Sequence, residues 1–159
     1  MAMLRVAVID DDQDLQDLFK VALADIDWAV VPCSDAATAS EAVKNGDPDV
    51  IILDLWLETP ATGWELLQRF REDEATRSIP VIVCSGAADH LADREDWLQE
   101  QKILMLPKPF ELDDLYGSME AALGARSYVL LRESEEKVTC FLTSHHYDYS
   151  RLDIPVIHT

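Results

Sequence analysis

The chain has 159 residues, 48% of them apolar and 28% charged, with a formal net charge of −18. That length suits one domain with a short appendage, and the apolar share excludes wholesale disorder. The negative charge, with no basic patch to offset it, sets the chain against nucleic acid and anionic membrane surfaces as partners.

Short aliphatic runs alternate with helical periodicity along the first 125 residues. Leu4–Ile9 reads as a strand. Leu15, Leu18, Phe19, Ala22 and Leu23 then recur at helical spacing and predict one apolar helix face. Trp28–Val31 is a second strand, Asp35–Asn45 a second helix closed by Gly46, and Val50–Leu53 a third strand. A third helix is expected over Gly63–Glu74 with Leu66, Leu67 and Phe70 inward, and a fourth strand over Val81–Cys84 after Pro80. The fourth helix falls within Asp89–Gln101 and has the weakest pattern. Ile103–Leu106 is strand five, and Leu112–Leu123 is helix five, with Leu112, Leu115, Tyr116, Met119 and Leu123 on one face. Strict alternation of five strands and five helices implies a parallel sheet covered on both faces, which also explains strands that are apolar throughout.

From Arg126 onward the pattern breaks. "SYVLL" and "VTCFL" flank the polar "RESEEK" and suggest a hairpin, followed by a tail in which His145 and His146 read as solvated. A lone hairpin is marginal in water. The extension 126–159 is therefore expected either to pack on its own domain or to serve as a dimer arm or partner-docking element. It has no room for a helix-turn-helix. Cys33, Cys84 and Cys140 show no CxxC or zinc spacing, and since Cys33 and Cys84 sit in or beside apolar runs, inert thiols of a reducing compartment are expected. The first residues lack the apolar length of a secretory signal, and no run reaches the roughly 20 residues of a membrane span, so the expected location is the cytoplasm.

Ligands of an open parallel sheet bind beyond the carboxyl ends of its strands, where the reactive side chains here fall. Asp10 and Asp11 follow strand one, Asp54 ends strand three, Ser85 ends strand four and Lys108 follows strand five. If strands one and three are neighbours, about 4.8 Å apart, three carboxylates converge. Their repulsion calls for a hard divalent cation, and oxygen-only ligands favour Mg²⁺. A carboxylate nucleophile, a metal, an ammonium and a hydroxyl around one point suit an incoming phosphoryl group.

The acid pair Asp10–Asp11, "LDL" with Asp54, "VCSG" with Ser85 and "PKPF" with Lys108 together resemble the receiver domain of two-component response regulators, over roughly residues 3 to 125. The resemblance implies a flavodoxin-like strand order, 2-1-3-4-5. It implies that Asp54 takes a phosphoryl group from a histidine kinase or histidine phosphotransfer protein and that output passes to a downstream protein. It further implies Mg²⁺ held by Asp11, Asp54 and the backbone carbonyl of Trp56, with Asp10 acting mostly through water. Lys108 would pair with phosphoryl oxygens ahead of a cis bond to Pro109. Three positions depart from the family pattern. Met105 stands where an aromatic switch residue is usual and is expected to couple more loosely. Glu58 stands where proline is usual, four residues after Asp54, with Pro60 and Gly63 suggesting one inserted residue. Ser85 replaces a threonine.

Each residue also has a plainer reading. Asp12 suits the N-cap of helix one, and Asp113–Asp114 suit the first turn of helix five. Met105 and Trp97 suit packing. Two other functions compete with the receiver reading. A phosphohydrolase resembling the haloacid dehalogenase group would use Asp10-x-Asp12, Ser85, Lys108 and Asp113–Asp114, but leaves Asp54 without a role. A docking-only receiver would not need the full set of acids, hydroxyl and lysine.

Overall fold

The computed structural model describes residues 3–86 and 93–124; the expected extension over 126–159 lies outside the described residues. Five parallel strands form one sheet: β1 (Arg5–Ile9), β2 (Ala29–Cys33), β3 (Val50–Leu53), β4 (Val81–Ser85) and β5 (Leu104–Pro107). Their order is β2-β1-β3-β4-β5, as the family resemblance implies. The described helices are α1 (Gln13–Ala24), α2 (Ala36–Gly46), α3 (Pro60–Glu72), α4 (Glu95–Glu100) and α5 (Leu112–Leu123). None is long and apolar enough to cross a membrane.

The central strands are apolar along the stretches from Val6 to Ile9, Val50 to Leu53 and Val81 to Cys84 because the sheet there is buried on both faces, whereas the edge strands β2 and β5 are only partly covered. Ala7, Ile9, Ile51, Leu53, Val81 and Val83 join a core completed by Val43 of α2, Leu66, Leu67 and Phe70 of α3, and Leu98 of α4. Val6, Val8, Val50, Ile52, Ile82 and Cys84 point into a second core with Phe19, Ala22 and Leu23 of α1 and Leu115, Tyr116 and Met119 of α5. Burying an aliphatic side chain of this size contributes about 1.5–3 kcal/mol, so both layers hold the strand ends in place.

Several expected boundaries move. The buried stripe of α1 runs through Gln16, Phe19, Ala22 and Leu23, whereas Leu18 is 44% exposed. The helix is turned toward Gln16 because its Nε2 donates to the carbonyls of Val8 at 2.9 Å and of Asp10 and Cys33 at 3.1 Å. Gly46 is the last residue of α2, and Asp47 takes the left-handed cap at φ 44°. Aspartate tolerates that conformation. Gly46 is small for a different reason: a Cβ there would lie 3.1 Å from the methyls of Val31. Helix α3 starts three residues earlier than expected. Thr59 caps it by accepting from the Thr62 N–H at 3.2 Å, and Pro60 fits the first helical position. Gly63 lies inside this helix, where a Cβ would meet the Leu55 carbonyl oxygen at 2.2 Å.

Candidate functional site

Strand β3 pairs with β1 from Val6↔Val50 to Ile9↔Leu53. The register continues one step further, with the Asp54 N–H donating to the Ile9 carbonyl at 2.9 Å. Asp10 and Asp54 therefore leave adjacent strands at the same height. Asp10 is 2% and Asp54 7% exposed, while Asp11 is exposed beside them. One carboxylate oxygen from each of the three lies within 4.8 Å of the others.

Lys108 reaches this cluster from the end of β5. Its Nζ is 3.0 Å from Asp10 Oδ2 and 3.3 Å from Asp54 Oδ2. The Lys108–Pro109 bond is cis, as the resemblance implies. Each buried acid also accepts from a backbone N–H: the Asp12 N–H donates to Asp10 Oδ1 and the Trp56 N–H to Asp54 Oδ1, both at 2.9 Å. Asp12 caps α1, accepting from Asp14 and Leu15 N–H groups at 3.0 and 3.3 Å.

Burial pushes the Asp10 carboxyl above the usual carboxylate range, and the Asp12 N–H and Lys108 offset this only in part. Burial works against the Lys108 ammonium too. There the Asp10 hydrogen bond and the charge of Asp54 outweigh it, and its pKa lies above the ordinary lysine value. Lys108 is thus a fixed positive charge. Three carboxylates and one ammonium leave a formal charge of −2 at this point. A hard divalent cation matches both that charge and the all-oxygen donor set. Next to the site, burial pushes the Cys84 thiol up to about 12, so it stays protonated and inert.

Ser85 closes β4 opposite Pro107 of β5. Trp56 lies two residues past Asp54 and is 49% exposed. Met105 is an exposed residue of β5, opposite Val83. Asp113 and Asp114 are not in the acid cluster. Asp114 accepts from the Glu111 N–H at 3.1 Å in a capping box at the start of α5, so the plainer reading of that pair holds. The contacts of two residues were not legible in the sequence. Gln16 ties the β1–α1 turn to β2, and its polarity within an otherwise apolar stripe was the available signal. Glu58 donates its backbone N–H to Asp11 Oδ2 at 3.3 Å, which side-chain patterns cannot reveal.

A doubly wound α/β protein with an acid cluster and a lysine at the carboxyl ends of its strands defines the class. Residues 6–120 match the family model described as the response regulator receiver domain, and the chain belongs to that family. The DNA-binding dual master transcriptional regulator RpaA of Synechocystis is 30% identical over 121 residues, covering 76% of this chain and 49% of its own length. The transcriptional regulatory protein TrcR of Mycobacterium tuberculosis is 32% identical, covering 84% of this chain and 50% of its own length. The chain thus spans about half the length of the curated relatives it matches. Among solved structures, Vibrio cholerae chemotaxis protein CheY4 superposes with a TM-score of 0.67 at 21% identity, covering 77% of this chain and 100% of its own, and shares the fold. The receiver domain of NtrX from Brucella abortus gives 0.64 at 27% identity, covering 74% and 97%.

Proposed function

We propose that this receiver accepts a phosphoryl group on Asp54 from a phosphohistidine of a histidine kinase or histidine phosphotransfer protein, and passes the change to a downstream protein. The observation that carries this reading is the meeting of Asp10, Asp11 and Asp54 oxygens within 4.8 Å, with the Lys108 ammonium bonded to two of those acids. Bound by Asp10, Asp11, Asp54 and the Trp56 carbonyl, Mg²⁺ would supply positive charge that screens the carboxylates from the phosphoryl oxygens.

Asp54 Oδ2 is the oxygen facing Lys108, and the Trp56 N–H fixes the orientation of the other. A carboxylate oxygen of Asp54 attacks phosphorus, the donor's phosphorus–nitrogen bond breaks, and the imidazole nitrogen leaves with the electron pair. Lys108 then exchanges its bond to Asp54 for one to a phosphoryl oxygen, and the Ser85 hydroxyl donates to another. Hydrolysis returns the carboxylate and inorganic phosphate, so the only substrate turned over is the protein's own acyl phosphate. A phosphohydrolase of the dehalogenase type would need Asp113–Asp114 at the cluster; the capping role of Asp114 speaks against it. Residues 1–125 act as the receiver in this reading and 126–159 as its extension.

The test is intact-mass spectrometry after incubation with a small phosphodonor and Mg²⁺. One added phosphoryl group is expected, and none in Asp54→Asn. Undiminished modification of that variant would remove Asp54 from the role.

A further inference from the structure

Glu58 occupies an unusual place beside the acid cluster. It lies in the β3–α3 loop with its backbone at φ 60°, in the left-handed region. Its N–H donates to Asp11 Oδ2 at 3.3 Å. Its side-chain Oε1 accepts from the N–H of Ala36, the first residue of α2, at 3.4 Å. One residue thus joins the loops that follow β1, β2 and β3. Non-glycine residues hold a left-handed backbone only where surrounding contacts fix it, and here the two contacts lie on opposite ends of the residue. Proline could serve neither purpose, since it fixes φ near −65° and has no N–H to donate.

Asp11 needs such a partner. Of the three clustered acids it alone is exposed, and the lysine engages only Asp10 and Asp54. An exposed carboxylate without a fixed partner samples several rotamers, and ordering it on metal binding costs free energy. Asp35 caps α2 by accepting from the Thr38 N–H at 2.9 Å, and Glu58 takes up the Ala36 N–H beside it, where an acceptor oxygen satisfies a helix-end donor.

We propose that Glu58 is a positioning residue for the metal site: its backbone N–H orients the Asp11 carboxylate, and its side chain, seated on α2, holds that N–H in place. The inference rests on the proposed metal role of Asp11. Partners that orient metal ligands are a recognised source of affinity.

The experiment is calorimetric titration of the full chain with Mg²⁺. Glu58→Gly keeps the N–H and accepts the left-handed backbone but loses the seat on α2. It should weaken Mg²⁺ binding by about tenfold, the low end of what loss of such a partner costs. Glu58→Gln keeps the seat without the charge and should stay within about twofold of the parent protein. In parallel, the Glu58 amide resonance should shift on Mg²⁺ addition, and Asp11→Ala should abolish the shift. Parent-like affinity in Glu58→Gly while Asp11→Ala is weakened would overturn the role of Glu58 alone. Equal losses in the Gly and Gln variants would reduce Glu58 to a charge and also overturn it. Parent-like affinity in Asp11→Ala would remove the metal reading and this proposal with it.

Discussion

Glu120, in the last turn of α5, holds its Oε2 buried with no hydrogen-bond partner among the described residues. Burial pushes its carboxyl above the usual range, so the folded protein binds this proton more tightly than the unfolded chain does. The sign follows directly: nothing is lost below the unfolded value, and stability falls as pH rises through the folded one. Glu120→Gln should therefore raise the thermal midpoint at pH 7 and change it little below about pH 4, where both states are protonated. A lowered midpoint at pH 7 would mean that the ionised group is held by a favourable contact. At this scale the sequence was readable where a polar group ended an apolar strand run, which is how Asp10, Asp54 and Lys108 stood out, but not where one sat within the helix stripe, as Gln16 does. Glu58 was not readable, because its action on Asp11 runs through the backbone N–H. Leu18 misled for the opposite reason: its spacing fits the helix stripe, but the three carbonyls bonded by Gln16 decide how α1 is turned.

The elements show the same division between pattern and contact. Helix α5 was legible to its ends because its apolar face is complete, whereas the start of α3 depends on a Thr59 cap just ahead of its periodic run. Helix α4 is short and buries only Leu98 fully, with Trp97 packed on Trp64 of α3 at a ring separation of 5.0 Å. Arg94 lies over the Trp64 ring at 4.0 Å. Such a helix offers little periodicity to read. Gly46 of α2 and Gly63 of α3 separate cleanly by what surrounds them. At Gly63 a methyl group would overlap the Leu55 backbone, which cannot yield without lifting α3 from the sheet. Gly63→Ala should cost at least about 3 kcal/mol, the upper end for overpacking. At Gly46 the neighbours are side-chain methyls 3.1 Å away, and the gain of about 1 kcal/mol from replacing a helical glycine opposes a small repacking cost. Gly46→Ala should stay within about 1 kcal/mol of the parent. Urea melts of both variants check the contrast, and similar losses in the two would refute it.

For the whole molecule, strict alternation was enough to give a parallel sheet, but not its order. The order 2-1-3-4-5 came from the family resemblance, since periodicity cannot tell which strands are neighbours. Residues 1–125 carry 9 Lys+Arg and 26 Asp+Glu, a net of −17. A net charge of that size opposes a phosphate backbone. We predict no duplex binding by this chain at sub-micromolar concentration and physiological salt. Fluorescence anisotropy with labelled duplexes checks it, and saturable binding in that range would place a nucleic-acid contact on this chain.

The residue proposed to receive the phosphoryl group is anchored to the central strand of the sheet. Val50, Ile51, Ile52 and Leu53 are at most 1% exposed, and β3 is bonded on both sides, to β1 and β4. In amide hydrogen exchange this strand should belong to the last unit to open, at the free energy of global unfolding. Modification of Asp54 then cannot be relayed by movement of the strand that carries it. The exchange rates of Ile51 to Leu53 should remain the slowest and keep their rank on phosphorylation, while those of the loop from Trp56 to Thr59 change. The protein would thus record the event on a fixed anvil and report it through the loops around the rim.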